Sequence, residues 1–151
     1  MDVKVNILRY NPETDRKGHW EEYILEADPD ERILDLLHKV KWFDDGSLAF
    51  RRSCAHGVCG SDAMVVNGEN MLACQVLVKE VSTPIKIEPI RGLPVIKDLV
   101  ENMDSFFDSY KKVMPYLVND DEPGERERLQ SPEDRDRFED TTKCILCAAC
   151  T

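Results

Sequence analysis

Six cysteines constrain this 151-residue chain more than any other feature. Three fall at Cys54, Cys59 and Cys74, and three at Cys144, Cys147 and Cys150, with about seventy residues between the groups. Placement of this kind predicts two sites rather than one. The second group lies against the end of the sequence, so its site is expected to be incomplete within this chain. Met1-Asp2-Val3-Lys4-Val5 has no apolar signal region and no Arg/Ser-rich transit segment, and a reducing compartment is expected. Thiols there are better suited to metal or redox chemistry than to disulfides. The 20 basic and 30 acidic residues give a net charge of −10. That balance argues against a nucleic-acid binder and against a polybasic membrane-surface module. No run reaches the roughly 18 apolar residues of a membrane span. With 42% hydrophobic and 33% charged residues, the chain holds material for one modest core.

The mid-chain text is Arg51-Arg52-Ser53-Cys54-Ala55-His56-Gly57-Val58-Cys59-Gly60-Ser61-Asp62, with Cys74 following. Its spacing, Cys-x4-Cys-x2-Asp and then a later Cys, matches the plant-type [2Fe–2S] pattern with Asp62 in place of the third cysteine. Two irons need four ligands, and a loop around so small a cluster must turn sharply, which Gly57 and Gly60 permit. Such a loop aims backbone N–H groups at anionic sulfur. A carboxylate is a harder ligand than a thiolate yet reaches iron easily. Two arrangements remain open: Asp62 ligates directly, or a water takes that place with Asp62 nearby. A zinc site would favour two short Cys-x2-Cys or Cys/His pairs, which this spacing fits poorly. His56 is expected to be exposed or hydrogen-bonded rather than a ligand. Arg51 and Arg52 either offset cluster charge or are ordinary solvated arginines.

Cys144-x2-Cys147-x2-Cys150 matches the start of the bacterial ferredoxin run that builds [4Fe–4S] sites. Three thiolates at this spacing hold three corners of a cubane, and the fourth ligand must come from elsewhere. A zinc knuckle or a redox-active dithiol is the competing reading.

Val3, Val5 and Ile7 alternate with polar residues and predict a strand, and residues 20–25 a second. Asp28, Pro29 and Glu31 read as N-cap, first helical residue and capping box. Ile33, Leu34, Leu37 and Val40 then share one helix face, and Asp44-Asp45-Gly46 ends the helix. Strands are expected over 63–66, 76–81 and 85–90, with a hairpin turn at Asn67-Gly68. Two strands, a helix and further strands make an α+β unit. Gly92 and Pro94 mark its end. Ile96, Leu99, Val100, Met103, Phe107, Tyr110 and Met114 recur at helical spacing and predict an amphipathic helix over 95–114, ended or kinked by Pro115. Residues 119–140 are nearly all charged and polar, with Leu129 and Phe138 the large apolar exceptions. They read as a solvated connector with a short helix after Ser131-Pro132, or as a partner contact surface.

Taken together, these residues resemble one family: the iron–sulfur subunit of succinate dehydrogenase and fumarate reductase. The resemblance rests on Arg9-Tyr10-Asn11-Pro12-Glu13, Arg51-Arg52-Ser53-Cys54, Cys59-Gly60-Ser61, Asn67-Gly68 and Leu72-Ala73-Cys74. It continues through Leu93-Pro94-Val95-Ile96-Lys97-Asp98-Leu99, Arg128-Leu129-Gln130-Ser131-Pro132 and Cys144-Ile145-Leu146-Cys147. Family members carry Cys or Asp at the position of Asp62.

The resemblance implies a β-grasp ferredoxin-like domain over residues 1–92, holding [2Fe–2S] through Cys54, Cys59, Cys74 and Asp62. It implies the start of an α-helical ferredoxin domain over 93–151, with Cys144, Cys147 and Cys150 as three of four [4Fe–4S] ligands. A [3Fe–4S] cluster and the quinone-site residues would lie beyond residue 151. The implied role is an electron wire from the FAD of a flavoprotein subunit to a quinone, with membrane anchor subunits as further partners. No residue here needs to act as acid, base or nucleophile. The implied location is peripheral, on the cytoplasmic side of a bacterial or archaeal inner membrane. Fumarate reduction, service to another flavoprotein dehydrogenase, and a zinc-binding interaction module are the alternatives.

Overall fold

The computed structural model describes residues 1–116, 118–120, 122 and 124–150. Asp121 and Pro123 of the charged stretch, and Thr151, lie outside the described residues. Strand β1 (Asp2–Arg9) is followed by β2 (His19–Glu26), helix α1 (Ile33–Lys39), β3 (Ala63–Val66), β4 (Glu69–Leu72) and β5 (Ile85–Glu88). These five strands form one sheet in the order β2-β1-β5-β3-β4. The β1–β5 pair is parallel, and β1–β2, β3–β4 and β3–β5 are antiparallel. A two-stranded hairpin, β6 (Val95–Lys97) with β7 (Val100–Glu101), helices α2 (Asp104–Lys112) and α3 (Pro132–Asp136), and a short 3-10 helix over Glu139–Lys143 follow. The α+β expectation is borne out.

Period-two patterning places Val3, Val5 and Ile7 in the core. Burying a side chain of this size is worth about 1.5–3 kcal/mol, so the alternation fixes which face of β1 turns inward. Ile33, Leu34, Leu36 and Leu37 of α1, with Val40 behind them, pack in one cluster with Met64, Ile85 and Ile87 of the sheet. The helix runs into a wide turn over Val40–Asp44, where the Asp45 N–H donates to the Val40 carbonyl at 2.7 Å.

Three local expectations are corrected. The helix begins at Ile33 with Arg32 as N-cap, not at Asp28. The Asp28 N–H does donate to Glu31 Oε2 (3.0 Å), but as part of a separate polar turn. The chain is extended at Arg32, because Ile33 donates to the Val76 carbonyl and Val78 to that of Glu31. The same crossing explains the second correction. Residues 76–81 make a single bridge and a short turn (Val78–Glu80) rather than a strand.

The third correction concerns 95–114, where a helix occupies only Asp104–Lys112 and a hairpin precedes it. Asp98 decides this. It takes φ 47° with its side chain 2% exposed. Its carboxylate accepts from Arg9 Nε (3.0 Å), the Tyr10 N–H (3.0 Å) and the Ala49 N–H (2.8 Å). The Asp98 and Leu99 N–H groups donate to the carbonyls of Tyr10 and Ala49. A buried charge so surrounded outweighs helical periodicity. The short helix expected after Ser131-Pro132 is present, capped by Ser131 Oγ accepting from the Asp134 N–H at 3.1 Å. Among the described residues, no helix is long and apolar enough to cross a membrane.

Candidate metal centre

The mid-chain loop leaves the core at Phe50 and re-enters at β3, so residues 54–62 hang at one end of the sheet. Two anchors shape it. Arg32, at the head of α1, donates from Nη1 to the Ala55 carbonyl at 3.0 Å. Arg51 donates from Nη2 to the Glu101 carbonyl at 2.7 Å, tying the loop to β7. The Glu101 side chain is buried, its Oε1 accepts from the Ile90 N–H (2.8 Å), and burial raises its pKa. Arg52 and the His56 side chain are exposed. His56 meets the site only through its backbone N–H.

Within the loop, Cys54 and Cys59 face each other. The Cys59 N–H donates to Cys54 Sγ (3.3 Å) and the Cys54 N–H to Cys59 Sγ (3.4 Å). The His56 N–H adds a third contact, to Cys54 Sγ at 3.5 Å. Donation from His56, with the Cys59 thiol and N–H next, lowers the Cys54 thiol to about 6. The fold therefore favours thiolate at this position before any metal is considered. Ser61 Oγ lies 3.2 Å from Cys59 Sγ. Gly57 takes φ +82°, and a Cβ there would stand 2.7 Å from the Gln75 side chain. Glycine is thus needed for both the turn and the close approach.

Cys74 and Asp62 make a second pair. β3 and β4 bring them together, since the Ala73 N–H donates to the Asp62 carbonyl (3.0 Å) and the Cys74 N–H to Asp62 Oδ2 (2.6 Å). Burial, then the neighbouring Asp62 carboxylate, pushes the Cys74 thiol up. Gln75 Nε2 reaches Cys74 Sγ at 3.7 Å. Asp62 is 1% exposed, and its Oδ1 is buried with no hydrogen-bond partner. A buried carboxylate oxygen without a partner costs on the order of 1–3 kcal/mol or more, unless something outside the protein fills the role.

The donors fit an iron–sulfur cluster. Among the described residues, no three His, Cys, Asp or Glu side chains form a set for a single metal ion. Instead there are two pairs, Cys54 with Cys59 and Cys74 with Asp62, as a centre of two metals with two protein donors each would use. N–H groups already point at sulfur, and one buried carboxylate oxygen is free to ligate. Of the C-terminal group, Cys144 and Cys150 are exposed and Cys147 is half-buried. The sequence signalled every cysteine but not Gln75 or the Arg51–Glu101 tie. Ser61 could have been found as a hydroxyl two residues beyond a cysteine.

Comparison with known proteins follows the same lines. Residues 4–108 match the family described as a 2Fe-2S iron–sulfur cluster binding domain. The succinate dehydrogenase iron–sulfur subunit of Coxiella burnetii is 43% identical over 148 residues, covering 97% of this chain and 63% of that protein. The Paracoccus denitrificans subunit of the same name is 36% identical, with 98% and 58% covered. The mitochondrial succinate dehydrogenase [ubiquinone] iron–sulfur subunit of Candida glabrata is 40% identical, with 96% and 59% covered. The chain thus spans about three fifths of the length of these relatives. A chain of the Mycobacterium smegmatis Sdh1 complex in the apo form superposes with a TM-score of 0.81 at 31% identity, covering 99% of this chain and 62% of that one. With a match that begins in the first strand and runs past the whole cysteine loop into α2, this chain belongs to the family of 2Fe-2S iron–sulfur cluster binding domains.

Proposed function

We propose that Cys54, Cys59, Cys74 and Asp62 hold a [2Fe–2S] cluster, and that the chain is the electron-transfer part of a succinate dehydrogenase (succinate:quinone oxidoreductase) iron–sulfur subunit. The observation that carries this reading is the pairing of Cys54 with Cys59 and of Cys74 with Asp62, whose second carboxylate oxygen is buried and unpartnered. When bound, the cluster supplies one-electron carriage between the FAD of a flavoprotein subunit, where succinate gives up two electrons and two protons, and a quinone.

The chain's own residues tune and shield. The N–H groups of Cys54, His56 and Cys59 stabilise negative charge on the two loop sulfurs, and Ser61 stands ready to donate to one of them. The Cys74 N–H holds one Asp62 oxygen and leaves the other for iron. No residue of this chain is assigned a role as acid, base or nucleophile. Residues 1–92 form the cluster domain and 93–151, opening with the β6–β7 hairpin, the beginning of a helical domain. Cys144, Cys147 and Cys150 are three ligands of a [4Fe–4S] cluster. The fourth, and a [3Fe–4S] site, belong to the part of a longer subunit that this chain does not span. The subunit sits peripherally on the cytoplasmic side of a bacterial or archaeal inner membrane, between the flavoprotein and a membrane anchor.

The test is metal content. The chain, purified and reconstituted without oxygen, should hold about two irons and two acid-labile sulfides and give a spin-½ EPR signal on reduction. Zinc without sulfide after reconstitution would overturn the reading. In the assembled complex, Cys59→Ser should abolish succinate–quinone activity while the flavoprotein still reduces an artificial acceptor. Undiminished quinone reduction would refute the wire.

A further inference from the structure

The C-terminal cysteine segment rests on the mid-chain loop, and one residue decides how closely. A Cβ on Gly60 would stand 2.5 Å from the Cys147 Cβ and 2.9 Å from its Cα. Gly60 also takes φ +67°, so both the space and the backbone exclude any other residue without displacement. A second contact comes from the β3–β4 hairpin, where Asn70 Nδ2 donates to the Ala149 carbonyl at 2.8 Å. Between the two contacts Ala148 is only 2% exposed, although Cys144 and Cys150 on either side are exposed. Leu146 and Ala148 take φ of 56° and 60°. Non-glycine residues hold such angles, at about 1 kcal/mol or more each, only where their surroundings dictate it. Cys59, Gly60 and Ser61 on one side and Leu146, Cys147 and Ala148 on the other line a single cavity of about 320 Å³.

We propose that Gly60 and Asn70 are positioning residues that seat Cys147 on the [2Fe–2S] loop, making Cys59 and Cys147 the facing members of the two cysteine groups. Its meaning for electron transfer rests on the function proposed above. The seat itself does not, because it is a contact between two segments of the protein. The separation of the two sites is then set by a missing side chain and one amide hydrogen bond. A shared ligand plays no part in it.

Deuterium exchange of the whole chain tests this. Asn70→Asp keeps the side chain's shape and removes its N–H donor. It should speed exchange in peptides covering 144–150 by about fivefold, the loss of one hydrogen bond of about 1 kcal/mol. Gly60→Ala should speed it by about a hundredfold. Peptides from β1, β2 and β5 should not change in either variant. Unchanged exchange over 144–150 in both variants overturns the proposal, as does a uniform rise across the chain in Asn70→Asp. In the assembled holoprotein, the reduced [2Fe–2S] EPR signal of Gly60→Ala should saturate at lower microwave power, because the [4Fe–4S] cluster proposed at Cys147, when reduced, is no longer held close. Saturation unchanged from the parent overturns the seat's meaning for electron transfer, and the exchange result judges the seat itself. If the unaltered protein gives no [2Fe–2S] signal, the proposed function fails and the exchange result alone judges the seat.

Discussion

Replacing Asp98 with alanine should cost this chain a large fraction of its stability, and the structure gives the amount. Asp98 is buried and pairs with Arg9, itself only 7% exposed at the side chain. The carboxylate accepts from Arg9 Nε and from the N–H groups of Tyr10 and Ala49. Breaking a buried pair by removing one partner costs about 3–5 kcal/mol. Arg9 keeps Glu21, Tyr23, Asp45 and Ser47 as partners, which reduces the loss. The two orphaned N–H groups add about 1–3 kcal/mol each where water does not reach them. We expect about 4 kcal/mol, against a total of about 5–15 kcal/mol for a domain. At about 2–4 °C per kcal/mol for a chain of this size, Tm should fall by about 8–16 °C. Asp98→Asn keeps the shape and loses the charge, and should cost about half as much. Urea unfolding followed by tryptophan fluorescence measures all three proteins. A loss below about 1 kcal/mol for Asp98→Ala would refute the view that this carboxylate fastens the hairpin to the sheet.

Two further outcomes are expected. His38 stacks on Trp42 at 4.6 Å and meets Phe50 edge-on at 5.2 Å, with both ring nitrogens buried and unpartnered. His38→Phe should therefore stabilise by about 1–2 kcal/mol, since it removes polar atoms that have lost water and gained nothing. Burial, then the Arg52 charge, lowers the His38 pKa while Asp35 opposes. The unfolded chain thus binds the proton more readily, and the His38 contribution falls away as pH drops below about 6.5. The gain from phenylalanine should be larger at pH 5.5 than at pH 7.5, and an equal gain at both would count against this account. The third outcome concerns Asp45, held down to about 2 by Arg9 first and Ser47 second. Its folded pKa lies below its unfolded one, so its stabilisation is whole above about pH 4 and is lost as pH falls toward 2. Asp45→Asn should flatten the stability profile across that window, and a profile as steep as the parent's would contradict the pairing.

Where the sequence was legible, one dominant interaction acted alone. Val3, Val5 and Ile7 had only the core to satisfy, and their alternation told the truth about β1. The cysteine spacing picked out Cys54, Cys59, Asp62 and Cys74 together, and the fold sets Cys54 beside Cys59 and Cys74 beside Asp62. Where it was illegible, two signals competed. Ile96, Leu99, Val100 and Met103 have helical spacing, yet Asp98 between them is drawn in by an arginine eighty-nine positions earlier. Val76 and Val78 look like strand residues, yet they cross residues 31–33 once and turn away. The seat of Cys147 left no signal at all. A glycine chosen for a turn and a glycine chosen to admit a neighbour read alike.

The parallel pairing of β1 with β5 also sets a timetable. Val5 finds its partner in Ile85, eighty positions later, and Arg9 waits still longer for Asp98. At about 5–20 residues per second on the ribosome, β1 stands without its inner neighbour for roughly 4–16 s. The two loop cysteines are made before the strand that closes the sheet behind them. A nascent chain therefore has thiols but no framework, and pairings this far apart are slow to form. On the function proposed above, a cluster at Cys54 and Cys59 has its framework only once residues 85–88 have been made and have paired with β1, so the loop thiols are the older and the sheet behind them the younger part of the site.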